Sequence, residues 1–368
     1  LKKTAQNLKI LVGMPEKTAR GGINACEPPF LRELERLGAA VREEIYTFDN
    51  AAETPLWRRV RQVWKTAFKF RRLLRADDFD VLHLNTAFDR KSILRDAFSL
   101  FWLKNGKTKI FLKFHGAEVE LLPASNFALS LLIRYLINAA NGVGVLSSEE
   151  KRGFVDLGFP AEKFFVVKNA LPGFPQESFP PVENFPAGSA TRLLFASRLI
   201  PTKGLIETVR AVSILREKKI NVVLDVLGDG ETRAPAERLA KSLGIGEFVV
   251  FHGHVAEKTV HEFYRAGGVL VFPTFHAEGF PMVIFNALPF GLPIVTTRIR
   301  AAADYLKEGE NALFCEPKNP ASVAEKVAEI TQNKELRLRM GEHNRALAEE
   351  FTAEKIAPEY LEIFRRIA

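Results

Sequence analysis

Cysteine is almost missing from this chain of 368 residues. Its two examples, Cys26 and Cys315, stand far apart, outside any C-x-x-C pair and without histidines at metal-ligand spacing. That excludes a disulfide framework and a zinc site and fits a reducing compartment, so a cytoplasmic location is expected. A long apolar run is missing too. The longest, "FALSLLIRYLI" from Phe127, is broken by Arg134 and falls short of the roughly 20 residues that a membrane span needs. The opening "LKKTAQNLKILVGMP" has only a few apolar residues in a row and no small-residue cleavage site, so it does not read as a signal peptide. Acid is absent from one whole stretch, Trp57 to Arg75, which carries eight Arg or Lys residues. Disorder is excluded by what is present: 47% of residues are hydrophobic and 26% charged, enough apolar material for buried cores.

The length exceeds one ordinary core and predicts two domains. A net charge of +8 predicts an anionic partner, whether nucleotide, lipid surface or nucleic acid. Over residues 1–172, short β-branched runs such as "KILVG", "DVLHLN", "KIFLKFHG" and "GVGVLS" alternate with stretches of helical periodicity. That alternation predicts a parallel sheet covered by helices on both faces. It stops at 173–189, "GFPQESFPPVENFPAGS", where dense proline reads as a stiff linker. It restarts over 190–352 with "RLLFASRL", "NVVLDVLGDG", "VLVFPTF" and "PIVTT", and a final helix is expected over 353–368. The fold class expected is therefore α/β, two tandem Rossmann-like doubly wound domains facing across a cleft, with ligand at the carboxyl ends of the strands.

Five motifs carry chemistry, each with a plainer structural explanation beside it. "GGIN", with Gly21 and Gly22 between the first strand and its helix, lets backbone N–H groups approach an anion, or simply forms a permissive loop. "KFHGAE" brings His115 off a strand end, where a lone histidine is either structural or faces the cleft. "FASRLIPTKG" places Arg198 and Lys203 on one strand-to-helix loop, a guanidinium and an ammonium suited to a diphosphate; a solvated charged loop is the plain alternative. "LGDGETR" offers Gly228 and Gly230 but has Arg233 where a dinucleotide fingerprint needs its third glycine, and it lies in the wrong βα unit for a dehydrogenase. Those glycines read as a tight turn near a ligand.

The fifth motif is "AEGFPMVIFNALPFG". Glu278 ends a loop and can accept hydrogen bonds from sugar hydroxyls. Gly279 allows close backbone approach, and Phe280, Pro281 and Met282 begin a helix whose unpaired N–H groups can face phosphate. Asn286 would lie about two turns along and reach a ribose if the ligand lies along that helix; its plain alternative is a helix-packing amide. Pro289 is expected to end or kink the helix.

These motifs, in this order and with a proline-rich linker midway, resemble a GT-B glycosyltransferase of family 4 over essentially the whole chain. The resemblance implies a retaining transferase that needs no metal or other cofactor and moves a sugar from a nucleotide-diphosphate donor to an acceptor hydroxyl in bacterial polysaccharide or glycolipid assembly. By it, Arg198 and Lys203 form a diphosphate clamp, Glu278 is the first glutamate of an E-x7-E motif that holds donor hydroxyls, and the amides at Gly279 and Phe280 contact phosphate. His115 lies near the donor sugar, and the Gly21–Gly22 loop lies beside the phosphates and acceptor. The departure is Asn286, which stands at the motif's second glutamate. An amide still accepts through oxygen, but its bonds to ribose are neutral, so weaker nucleotide binding is expected. The contrasting reading is a catalytically weakened GT-B protein that binds nucleotide or membrane as a module. A GT-B epimerase would carry a different set of acids and histidines in the cleft.

The first domain of such enzymes selects the acceptor, here a glycan or a lipid-linked one. "WRRVRQVWKTAFKFRRLLR", residues 57–75, is basic and amphipathic, with Val60, Trp64, Phe68 and Leu73 at helical intervals. It reads as an element attracted to an anionic membrane surface, peripheral on the inner face; a domain helix with a solvated outer face is the plain alternative. Nucleic acid is not expected, because no binding module or aromatic platform accompanies the charge. The final helix is expected to return to the first domain.

Overall fold

The structure is a computed structural model that describes residues 8–16, 22–48, 54–104, 106–118, 121, 126–173 and 190–368. It divides into two compact units, one of residues 1–173, 277–280 and 351–368, the other of 174–276 and 281–350. Gly21 and residues 174–189 of the linker lie outside the described residues. Residues 277–280 group with the first unit, although the sequence reading places them in the second domain.

The first unit is built on six parallel strands, β1 (Lys9–Pro15), β2 (Ala40–Thr47), β3 (Val81–Phe88), β4 (Lys109–Ala117), β5 (Gly142–Val145) and β6 (Phe164–Val166), in spatial order β2-β1-β3-β4-β5-β6. Between them run α1 (Ile23–Arg36), α2 (Leu56–Ala76), α3 (Arg90–Leu103), α4 (Phe127–Ala139) and α5 (Ser148–Asp156). β1 and β3 are buried along nearly their whole length, β1 as an almost unbroken apolar run and β3 with His83, Asn85 and Thr86 among its apolar residues. Asp89, Asn126 and Ser147 cap α3, α4 and α5 by accepting from backbone N–H groups of the first turn.

The second unit repeats the plan with β7 (Thr191–Ala196), β8 (Val222–Leu227), β9 (Val249–Gly253), β10 (Val269–Phe272), β11 (Ile294–Thr296) and β12 (Ala312–Phe314), in order β12-β11-β10-β7-β8-β9. Its helices are α6 (Leu205–Glu217), α7 (Arg233–Ser242), α8 (Glu257–Ala266), α9 (Met282–Ala287), α10 (Arg300–Tyr305), α11 (Pro320–Gln332) and α12 (Lys334–Ala348). The last helix, α13 (Ala353–Ile367), belongs to the first unit. Its apolar residues recur at Ile356, Tyr360 and Phe364, and they bury against α1 and the sheet: the Tyr360 ring lies 4.5 Å from Phe30, and its hydroxyl donates to the Lys168 carbonyl at 3.1 Å.

Each sheet has one point where successive crossovers depart in opposite directions. In the first it lies between β1 and β3, in the second between β7 and β10. The crevice beyond the carboxyl ends of such a strand pair is where doubly wound sheets take ligands. Among the described residues no helix is long and apolar enough to cross a membrane.

Candidate active site

In the first unit the carboxyl ends of β3 and β4 carry a buried polar network. Asn85 pairs in register with Lys113, and His115 follows two residues later on the same face. The Lys113 ammonium donates to Glu27 Oε1 of α1 at 2.5 Å; Asn85 Nδ2 donates to Glu27 Oε2 at 3.2 Å, and its Oδ1 lies 2.8 Å from His115 Nε2. Because the asparagine oxygen can only accept, His115 carries its proton on Nε2 in this arrangement and presents Nδ1 as an acceptor. Burial and the Lys113 charge hold the His115 imidazole well below its usual pKa, so it is neutral at physiological pH. Burial works to raise the Glu27 carboxyl, but the Lys113 ammonium outweighs it and holds the group ionised.

Gly22 is the N-cap of α1, in helical conformation and without a side-chain cap bond. Beside this turn lies a cavity of about 490 Å³ lined by Met14, Pro15, Asn24 and Pro28 from β1 and α1, with Glu43, Glu44 and Ile45 from β2. The sequence reading singled out His115 and Gly22 here and missed Glu27, Asn85 and Lys113. The signal available was local: a lysine inside the apolar strand "KIFLKFHG" and a glutamate on the buried side of α1.

In the second unit, Arg198 and Lys203 lie just beyond β7, at the strand-order reversal. Arg198 is exposed, whereas Lys203 is buried with its ammonium about 6.0 Å from the Phe272 ring. Opposite, at the end of β10, Phe275 N–H donates to the Thr202 carbonyl at 2.9 Å, and Thr202 Oγ1 lies 3.0 Å from His276 Nδ1. Thr202 and His276 thereby tie the two loops of the crevice together, a pairing 74 residues apart that no local pattern announces. Gly228 is required by packing: its φ is +123°, and a Cβ there would overlap the Ser197 carbonyl oxygen. Gly230, at φ +150°, stands likewise against the Leu199 carbonyl. These two glycines shape the Arg198 loop from behind.

The segment after β10 departs from its expected form. Pro281 is the N-cap of α9, not its first residue, and α9 has six residues before Pro289 and a tight turn that closes on Gly291, φ +66°. Glu278 therefore stands in the loop, and Asn286 is the fifth helical residue, about one turn in rather than two. Asn286 Oδ1 is buried without a hydrogen-bond partner. Glu278 is half-buried; Gly279 sits so close to Leu146 and Glu150 that a Cβ would lie 3.0 Å from Glu150 Oε1, and Phe280 is buried edge-on to Phe351, ring centroids 5.7 Å apart. Met282, the first residue of α9, is half-buried. Among the described residues no group of three or more His, Cys, Asp or Glu could hold a metal ion.

Comparison with known proteins covers both units. The description "Glycosyl transferases group 1" matches residues 180–347, and "Glycosyl transferase 4-like domain" matches residues 19–170. An uncharacterized glycosyltransferase of Methanocaldococcus jannaschii is 33% identical over 36% of the chain and 33% of its own length. The capsular polysaccharide biosynthesis glycosyltransferase CapM of Staphylococcus aureus is 29% identical over 56% of the chain and 51% of its own length. The chain thus spans about half or less of these curated relatives. Among solved structures, Anabaena HepE in complex with UDP and glucose superposes with a TM-score of 0.74 at 17% identity, covering 98% of this chain and 100% of that one.

Proposed function

Since the chain belongs to the glycosyl transferases group 1, with a family 4-like first domain and the GT-B fold, we propose that it transfers a sugar from a nucleotide-diphosphate donor to an acceptor hydroxyl, with retention, in polysaccharide or glycoconjugate assembly. The observation that carries this reading is the position of Arg198 and Lys203 on the loop at the β7–β10 reversal. A guanidinium and an ammonium there neutralise the charge that grows on the departing nucleoside diphosphate, which stabilises the transition state more than the ground state. In the same reading Glu278 accepts from donor hydroxyls, the amides at Gly279 and Phe280 meet phosphate, Pro281 and Met282 line the nucleotide, and the turn at Gly22 lies beside the acceptor. His115, neutral and with Nδ1 as its acceptor, holds a sugar hydroxyl and is unsuited to act as an acid. The orphaned Oδ1 of Asn286 gains a partner when a ribose hydroxyl donates to it.

CapM is a capsular polysaccharide biosynthesis glycosyltransferase and HepE was solved with UDP and glucose, which supports a UDP-sugar donor and a glycan acceptor; an acceptor carried on a lipid belongs to the same proposal. Residues 57–75 fit an anionic membrane surface as the place where such an acceptor is met. The deciding experiment is a thermal-shift panel with UDP, GDP, ADP and CDP and their sugar conjugates, followed by product analysis. A ligand at ~100 times its dissociation constant adds ~2.7 kcal/mol, a shift of a few degrees. One stabilising base, lost in Arg198→Ala and Lys203→Ala, supports the reading. Asn286 favours a second reading, a nucleotide-binding module without turnover; binding with no donor hydrolysis and no transfer to any acceptor would select it.

A further inference from the structure

Three neighbouring helices of the first unit turn apolar residues outward. On α2, Leu56, Val60, Trp64 and Phe68 recur every four residues, a single stripe, with exposures of 76%, 48%, 38% and 48%. On α3, packed beside it, Leu94 is 57% and Phe101 67% exposed, with Phe98 and Trp102 half-buried between the helices. On α4, the next in line, Phe127 is 77%, Leu131 50% and Tyr135 37% exposed. The Trp64 ring lies 5.6 Å from Phe68, 4.7 Å from Phe98 and 5.7 Å from Trp102, so α2 and α3 share one aromatic shelf. All three tryptophans of the chain, Trp57, Trp64 and Trp102, are on these two helices.

Charge identifies the occupant. α2 carries eight basic residues and no acid, α3 adds Arg90, Lys91 and Arg95 against a single acid, Asp96, which is buried, and α4 adds Arg134. Arg71 lies over the Trp102 ring at 5.2 Å and Arg58 over Trp57 at 5.3 Å, so cations fringe the aromatic rings. On the β2 side of α2, Arg58, Arg61 and Lys65 line a cavity of about 770 Å³ with Trp57 and Phe48. A second copy of the chain on this face would set like charges against each other. Water alone leaves a contiguous apolar surface exposed that a monomer rarely carries. An anionic bilayer satisfies both: acyl chains take the rings, and head-group phosphates take the cations.

We propose that the outer layer α2–α3–α4 is a membrane-insertion face, whose aromatic shelf enters the interface of an anionic lipid leaflet while the basic residues of α2 hold its head groups. This deepens the acceptor half of the function proposed above and is independent of the donor half. The experiment uses the full chain with vesicles of phosphatidylcholine, with or without phosphatidylglycerol. Flotation with anionic vesicles, a blue shift of tryptophan emission and its quenching by brominated acyl chains are the expected results. Phe101→Glu with Phe127→Glu, both largely exposed positions, should weaken partition by at least about tenfold, since each removes a ring that the bilayer would bury and adds a carboxylate that anionic lipid repels. Phe101→Ser alone serves if the double variant misfolds. The melting shift with the nucleoside diphosphate, read without vesicles, should stay as in the unmodified chain, which separates failure of this proposal from failure of the donor reading. Binding that high salt abolishes, with no spectral shift and no loss in the variants, would mean charge adhesion alone and overturn insertion. Indifference to vesicles with concentration-dependent dimerisation would overturn it in favour of a second copy.

Discussion

At the scale of single residues, the first unit places charge where charge is costly and compensates it locally. Glu27 and Lys113 are both about 1% exposed and meet at 2.5 Å. Removing one partner of such a pair leaves the other buried and uncompensated, typically at about 3–5 kcal/mol, whereas removing both costs far less. Lys113→Met should therefore destabilise the first unit much more than Glu27→Gln with Lys113→Met together, as urea unfolding would register. His83, fully buried among Phe30, Phe111, Tyr360 and Phe364 with neither ring nitrogen hydrogen-bonded, is a different liability. Burial pushes its imidazole from 6.5 down to about 4. Between those values the unfolded chain binds a proton that the folded chain refuses, so the His83 contribution to stability should fall as pH drops from 6.5 towards 4 and be constant below. His83→Leu should remove one proton's share of that slope, and the share owed to His115 should remain.

At the scale of elements, loops are held by backbone fit. Gly228→Ala drives a methyl into the Ser197 carbonyl and should cost the second unit about 2–4 kcal/mol while displacing the Arg198 loop. Gly244→Ala, at φ +70° but in open space, should cost only about 1–2 kcal/mol, the strain of the left-handed backbone alone. Comparing the two by chemical denaturation, with nucleotide affinity beside it, separates packing from conformation. α9 gives the complementary case. Because Asn286 Oδ1 has no partner, Asn286→Ala should leave folding within about 0.5 kcal/mol yet weaken nucleoside diphosphate binding, and Asn286→Glu should strengthen it through charge-assisted bonds. Unchanged affinity in both variants, measured calorimetrically, would remove Asn286 from the ribose site.

For the whole molecule, two units with separate sheets predict two calorimetric transitions, each answering to its own variants. His83→Leu should move one and Gly228→Ala the other. A single transition that both substitutions shift alike would show that the units unfold together.

The alternation of apolar runs and helical stretches, the glycines after β1 and β8 and the Arg198–Lys203 loop are local facts, since period, turn chemistry and spacing are written within a few residues of each other. They determined the class of fold and the family, and they carry the ligand proposed above. Contacts between distant segments decided the rest. Glu27 meets Lys113 across 86 positions and Thr202 meets His276 across 74, because parallel strands bring together loops that the chain visits at long intervals. Pro289 marked an end to α9, but its start at Met282 and the grouping of residues 277–280 with the first unit were not written in the local pattern. The basic helix was plain from residues 57–75, yet the shelf of rings around Trp64 was not. Three helices must lie side by side on one sheet before their separate stripes become one surface, and only the tertiary fold does that.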